Sequence, residues 1–308
     1  MKNKWQRGVA EIDGIVILCV LIFIVLIAPK DGGNGTFLSS QSGSTLSSGD
    51  SSSRDSGSSN NYEVSLGSGN AAYSYQSYEE YITVQNRGKE DLNISGWQLK
   101  NGKDGRTYNL GGQLQRFSAD IALIPQGAVV LSPTGNSITQ DIVLKSGEKA
   151  IITTGSVGVK SPYVITSFKE NMCTGYIEAL PDYAFTPALG RSCPRPVDEP
   201  GLSSQDSECK DFVKKLSSCE VPEFGSRNRD GEYCADCING VRLSNSCSSF
   251  IKQHFSYKGC VANHSGDEDF SGKTWRIFLG RGWEMWAENY ETIELFDRNG
   301  MLTSFRNY

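Results

Sequence analysis

The stretch Tyr78-Glu-Glu-Tyr-Ile-Thr-Val-Gln-Asn-Arg-Gly-Lys-Glu-Asp-Leu-Asn-Ile-Ser-Gly-Trp-Gln-Leu99 decides the fold. Tyr81, Thr83 and Gln85 alternate with Ile82 and Val84, the period-two pattern of a strand with two unlike faces. Asn86-Arg-Gly-Lys-Glu-Asp91 then gathers turn formers and charges, and Leu92, Ile94, Trp97 and Leu99 resume the apolar signal. The reading is a hairpin: a strand, a polar turn and a second strand. A large aromatic after such a turn suits the interior between two small sheets, so Trp97 is the expected centre of a core.

Outward from this stretch the strand signal repeats. Tyr62 to Leu66 reads as a first short strand and Gly67 to Asn70 as a loop. Tyr73, Tyr75, Tyr78 and Tyr81 make an aromatic approach to the hairpin, and alternating tyrosines of this kind are expected to pack half-buried. Asn101-Gly-Lys-Asp-Gly105 is a reverse turn that lacks the spaced carboxylates and distal Glu of a calcium loop. Segments 119–124, 128–131, 142–144 and 149–153 supply later strands, with Gly and Pro between them. Short strands at this spacing predict a mainly β, antiparallel domain over residues 62–160.

The strand, the polar turn and Ser95-Gly-Trp97, followed by Pro125-Gln-Gly127 and the apolar run to Leu131, resemble a lamin-tail domain over about residues 62–158. The resemblance implies an immunoglobulin-like β-sandwich and a setting among membrane-anchored bacterial surface proteins. It implies no reaction.

Charge bears on partners. The formal net charge is -5. Residues 1–61 carry five basic and five acidic side chains and residues 62–161 nine of each, so the whole excess lies beyond Ser161. Neither half offers the basic footprint that neutralises phosphates, and nucleic-acid binding is not expected, although some lamin-tail domains bind DNA.

The N-terminus reads as an anchor. Residues 14–28 carry no charge and are almost entirely large and aliphatic; extended to residues 12–29 they reach the lower end of a spanning helix. Lys2, Lys4 and Arg7 precede the run, which predicts a cytoplasmic tail at residues 1–11 and extracytoplasmic domains beyond a single-pass helix. The competing reading is a cleaved signal peptide, but Ile27-Ala-Pro29 is a poor cleavage context. Residues 30–61 are Gly, Ser, Asn and Asp with few apolar side chains, a disordered linker with an r.m.s. span of roughly 30 Å.

Eight of the nine cysteines follow residue 170: Cys173, Cys193, Cys209, Cys219, Cys234, Cys237, Cys247 and Cys260. An even number confined to one exported region predicts structural disulfides. Cys234-Ala-Asp-Cys237 also has zinc and redox readings, but a second short-spaced ligand pair and a strand–helix frame are both missing. Residues 161–308 are therefore expected to form a disulfide-rich α+β domain. Two helices, over 209–219 and 247–260, would pack as a hairpin. Antiparallel packing pairs Cys209 with Cys260 and Cys219 with Cys247, whereas parallel packing pairs Cys209 with Cys247; compactness favours the first. Cys173 would then bond Cys193, and Cys234 would bond Cys237 as a small ring. Residues 291–305 predict a closing β-hairpin around Asp297-Arg-Asn-Gly300, similar to the last strands of a lamin-tail sandwich. It could belong to a second, diverged copy.

Catalytic constellations are scarce. His254 falls on the apolar side of a predicted helix with Phe250, Ile251 and Phe255, as a packed or cap residue. His264 precedes Asp267, Glu268 and Asp269, in what reads as a solvated loop. Trp275, Trp283 and Trp286 with Arg276 and Arg281 could stack on a glycan, but at least two of the three tryptophans are expected in the core. No catalytic residue, cofactor or metal ligand is assigned. The expected function is a non-catalytic, membrane-tethered module contacting a protein, glycan or envelope component. The alternative is an extracytoplasmic hydrolase, or an accessory domain of one.

Overall fold

The computed structural model describes residues 62–308 apart from 117, 133–135, 161–162, 181–183 and 229. The expected tail (1–11), membrane helix (12–29) and linker (30–61) lie outside the described residues. Among the described residues no helix is long and apolar enough to cross a membrane.

In chain order the strands are β1 (Val64–Gly67), β2 (Tyr81–Asn86), β3 (Leu92–Asn93), β4 (Gln98–Asn101), β5 (Thr107–Leu110), β6 (Gln113–Arg116), β7 (Ile121–Leu123), β8 (Gly127–Ala128), β9 (Thr139–Gln140), β10 (Val143–Leu144), β11 (Lys149–Thr153), β12 (Val159–Lys160), β13 (Tyr163–Val164) and β14 (Phe168–Asn171). Helices α1 (Gly175–Glu178) and α2 (Ser207–Val213), strands β15 (Cys237–Ile238) and β16 (Val241–Arg242), and helices α3 (Asn245–His254) and α4 (Tyr257–His264) come next. Strands β17 (Ser271–Phe278), β18 (Thr292–Phe296) and β19 (Leu302–Asn307) close the chain.

The protein is mainly strand-rich, with several sheets and four disulfides. Two sheets dominate: seven strands in the order β1-β2-β11-β17-β14-β8-β9, and four in the order β19-β18-β4-β7. Ile82, Val84, Ile152 and Ile277 from the first and Leu99, Ala122, Ile293 and Leu295 from the second share one buried core. That arrangement is compatible with a β-sandwich. Trp97, just before β4, is 3% exposed within this core and lies against the Tyr62 ring, with centroids 5.4 Å apart.

The stretch that opens the reading does not form a hairpin. β2 alternates as expected, with Ile82 and Val84 inward, but it pairs with β1 and β11. β4 pairs with β18 and β7 in the other sheet. The polar turn is therefore a passage between sheets. Asn86 anchors it by donating to the Glu90 and Leu144 carbonyls, and Gly96, at φ 77°, supplies the left-handed residue needed before Trp97.

The expected antiparallel pattern and the expected boundary at 160/161 both give way to a mixed sheet spanning both parts. β17 lies parallel to β11, and β14 is antiparallel to β17. A parallel neighbour requires a long crossover, and residues 154–270 are that crossover. The predicted closing hairpin forms, with β18 antiparallel to β19. Because β18 also pairs with β4, it completes the same two sheets rather than opening a second copy.

The crossover carries the cysteine-rich part, which has its own core including Phe168, Tyr176, Val213, Ile251 and Phe255. All eight cysteines after residue 170 are bridged, and the pairing differs from that expected: Cys173–Cys260, Cys193–Cys219, Cys209–Cys247 and Cys234–Cys237. Cys234–Cys237 pairs as expected, and Cys209–Cys247 is the pair of the parallel alternative rather than of the favoured antiparallel one. The reason lies in the helix starts. Asp206 caps α2 and Ser244 caps α3. The two caps are bonded to each other, Ser244 Oγ to Asp206 Oδ2 at 2.8 Å, so the N-termini sit side by side and Cys209 meets Cys247. α2 ends at Val213, leaving Cys219 in a left-handed turn at φ 63°. The second expected helix breaks at Phe255, and Ser256 caps α4, which carries Cys260 to Cys173.

Candidate functional site

Asn70 builds the first of two loops at one end of the larger sheet. Its Oδ1 accepts the Tyr81 N–H at 2.9 Å while its Nδ2 donates to the Glu79 carbonyl at 2.9 Å, pinching residues 70–81 into a closed turn. Tyr73 and Tyr75 stand out from that turn, 80% and 71% exposed, so the expectation of half-buried packing fails for both. They occupy a turn and a bend rather than a strand, with polar Ser74 between them and Gln76 and Ser77 after Tyr75. That interleaving of serine and glutamine was the available signal.

The second loop, residues 279–291, joins β17 to β18. It starts as an extension of the sheet, with the Leu279 and Arg281 N–H groups donating to the Thr153 and Thr154 carbonyls. Its middle turns over a buried carboxylate. Glu80 accepts the Met285 N–H at 2.8 Å, the Trp286 N–H at 3.2 Å and the Thr154 hydroxyl at 2.5 Å. Burial raises the Glu80 pKa above its ordinary value; these hydrogen bonds oppose that rise and nearby Glu284 adds to it. Asn101 Nδ2 holds the Met285 carbonyl at 2.7 Å, and the Tyr308 hydroxyl holds the Ala287 carbonyl at 2.9 Å. Glu291, also buried, accepts the Gly102 N–H at 3.0 Å and the Thr292 N–H at 2.9 Å.

What this fixed loop shows to solvent is aromatic and acidic. Trp283 is 63% exposed and Tyr290 88%, whereas Trp275 and Trp286 are buried, in line with the expected division of the three tryptophans. The Arg281 guanidinium lies 5.8 Å from the centre of the Trp283 ring and also holds Asp120. Tyr75 from the first loop and Glu284, Trp286, Glu288 and Asn289 from the second line a groove of about 600 Å³. The Trp286 indole N–H has no acceptor among the described residues. Tyr62, the first described residue, lies at the opposite end: β1 runs from Val64 beside Asn86 to Gly67 beside Thr83, and the aromatic loop follows Gly67.

The two histidines meet elsewhere, inside the cysteine-rich part. His254 is the last residue of α3, stacked on Phe250 with centroids 4.2 Å apart, the packed position expected of it. His264 is not in a solvated loop; it ends α4, buried. Glu199 joins them, with Oε2 2.8 Å from His254 Nδ1 and 3.4 Å from His264 Nε2, and Asp267 takes the other His264 nitrogen at 2.8 Å. Burial alone would lower the His264 pKa, but the bonds and charges of Asp267 and Glu199 outweigh it and raise the pKa. Glu199 Oε1 and the Tyr176 hydroxyl have no partner among the described residues. No group of three or more His, Cys, Asp or Glu among the described residues has the geometry of a metal site.

Glu80 and Glu199 are the polar residues that reading the sequence missed. Each acts on partners that only the fold brings near, 205 and 55 residues away along the chain. No family model, curated protein or solved structure matches this chain.

Proposed function

We propose that the protein is a non-catalytic, membrane-tethered extracytoplasmic binding module built on an immunoglobulin-like sandwich of the lamin-tail kind. Its ligand, a protein, glycan or envelope component, meets the aromatic loops at residues 68–80 and 279–291. One observation carries this reading. Large exposed rings sit on two loops, one pinned by the Asn70 side chain and the other by the buried Glu80 and Glu291 carboxylates, at the end away from the point where the chain enters at Tyr62. Exposed aromatic side chains cost solvation, and ordering a loop in advance lowers the entropy lost on binding. A single-pass anchor at residues 12–29 and a flexible linker to residue 61 then leave the rings facing away from the junction.

The test presents the full chain on cells to labelled protein and polysaccharide fractions of cell envelope. Native protein is expected to capture one of them, and a variant carrying Tyr73→Ser, Tyr75→Ser and Trp283→Ser is expected to lose that capture. Equal capture by the two proteins overturns the reading.

A further inference from the structure

The chain has two histidines, and both meet the buried Glu199 carboxylate. His264 also meets a second one: its Nε2 lies 3.4 Å from Glu199 Oε2 and its Nδ1 2.8 Å from Asp267 Oδ2. An ionised carboxylate only accepts, so both ring nitrogens must carry a proton to keep both bonds. A neutral imidazole has one N–H and keeps one of them. We propose that His264 is a pH-operated latch on the turn from His264 to Phe270: protonated, it holds the turn shut, and neutral, it keeps Glu199 and lets Asp267 go.

Burial decides which partner is kept. The Glu199 side chain is fully buried, and its Oε1 already lacks a partner among the described residues, so a further lost bond there carries the full desolvation penalty. The Asp267 side chain is 47% exposed, and water replaces the imidazole at little cost. The turn depends on the bond that is given up. Glu268 and Asp269 follow Asp267, and His264 is the one cation paired with these three acids among the described residues. Without it, like charges repel across a turn whose backbone bonds run from Asp267 N–H to the His264 carbonyl and from Phe270 N–H to the Asp267 carbonyl. Phe270 itself stays anchored: it is buried, and its carbonyl takes the Met172 N–H at 3.0 Å. Opening therefore stops before β17. The other groups around the carboxylate do not compete for His264. His254 Nδ1 serves Glu199 at 2.8 Å, and burial keeps the Tyr176 hydroxyl of α1 neutral. Burial opposes the charged His264 ring, but Asp267 and Glu199 outweigh it. The latch is thus closed below a folded pKa lying above the ordinary His value, and it opens as pH rises through that pKa.

The experiment follows hydrogen–deuterium exchange of the full chain at about pH 5.5 and about pH 8.5, with rates corrected for intrinsic exchange. Amides of residues 265–270 are expected to lose protection roughly tenfold or more at the higher pH, the worth of one charge-assisted hydrogen bond. Residues 196–205 and helix α3 should keep theirs. Asp267→Ala removes the acceptor and should make exchange of the turn equal at the two pH values. Imidazole nitrogen shifts of the isotope-labelled native protein give a second readout that needs no substitution. Neutral His264 is expected to carry its proton on Nε2, facing Glu199. A proton on Nδ1, which would retain Asp267, overturns the proposal. Equal protection of the native turn at both pH values also overturns it, as does a pH-dependent turn that survives in Asp267→Ala. A loss of protection spread evenly over the cysteine-rich part marks a change of global stability and overturns the latch as well.

Discussion

Met285 donates its backbone N–H to Glu80 Oε2 at 2.8 Å, joining two loops that lie 205 residues apart in the chain. Trp286 N–H and the Thr154 hydroxyl complete the set around the same carboxylate. Removing the carboxylate strands three donors in a buried place. Glu80→Ala should therefore cost about 2–4 kcal/mol, seen as an earlier midpoint in urea, and expose residues 279–291 to protease. The sign with pH is also set. The raised folded pKa makes its share of stability fullest below the ordinary Glu value and lost as pH climbs through the folded value. Glu80→Gln should flatten that part of the profile.

Trp97 fills the space between the two sheets with Tyr62 against it. Trp97→Ala should cost about 3–5 kcal/mol, because the rigid sheets around it cannot collapse onto the cavity. Equilibrium denaturation of the full chain checks this, and a midpoint equal to that of the native protein contradicts the placement.

The sequence carried the strands, the buried tryptophan and the closing hairpin because each is a local pattern. Alternation at Ile82 and Val84, and the Asp297 to Gly300 turn, are properties of a few neighbouring residues. Pairing partners are not. Nothing near β11 announces that its parallel neighbour begins more than a hundred residues later, at β17. The disulfide pattern failed for a related reason: the helix from Ser207 stops at Val213 and the one from Asn245 breaks at Phe255, so Cys219 and Cys260 do not end a pair of long antiparallel helices. Exposure was the least legible feature. Tyr75 and Tyr81 look alike in sequence, and only the Asn70 turn separates a solvent-facing ring from one half-buried on β2.

His264 gives the cysteine-rich part a pH dependence. Its pKa is raised in the folded protein by Asp267 and Glu199, with His254 facing the same carboxylate. The protonated ring therefore stabilises the fold below the ordinary His value, and that share is lost as pH rises through the folded pKa. Melting temperature should fall from about pH 6 to about pH 8, and by less in His264→Gln. The difference between the two profiles isolates this group from Glu80, whose effect has the same sign. Identical slopes would show that His264 is not protonated preferentially in the folded state.

The disulfides should differ widely in what they contribute. A bridge stabilises chiefly by restricting the unfolded chain, and the restriction grows with the loop it closes. Cys173–Cys260 closes a separation of 87 residues and ties the end of β14 to α4, so its removal should cost about 4–5 kcal/mol. Cys209–Cys247 and Cys193–Cys219, at separations of 38 and 26, should each contribute about 3–4 kcal/mol. Cys234–Cys237 closes a separation of only 3 and stands outside the cysteine-rich core that holds the other six sulfurs. Replacing both of its cysteines by serine should cost less than about 2 kcal/mol. Paired Cys→Ser variants compared by urea denaturation set this order, and non-reducing peptide mapping must first recover the four pairs. A Cys234/Cys237 variant less stable than the Cys173/Cys260 variant would mean that native packing around the small ring, not chain restriction, governs these bridges.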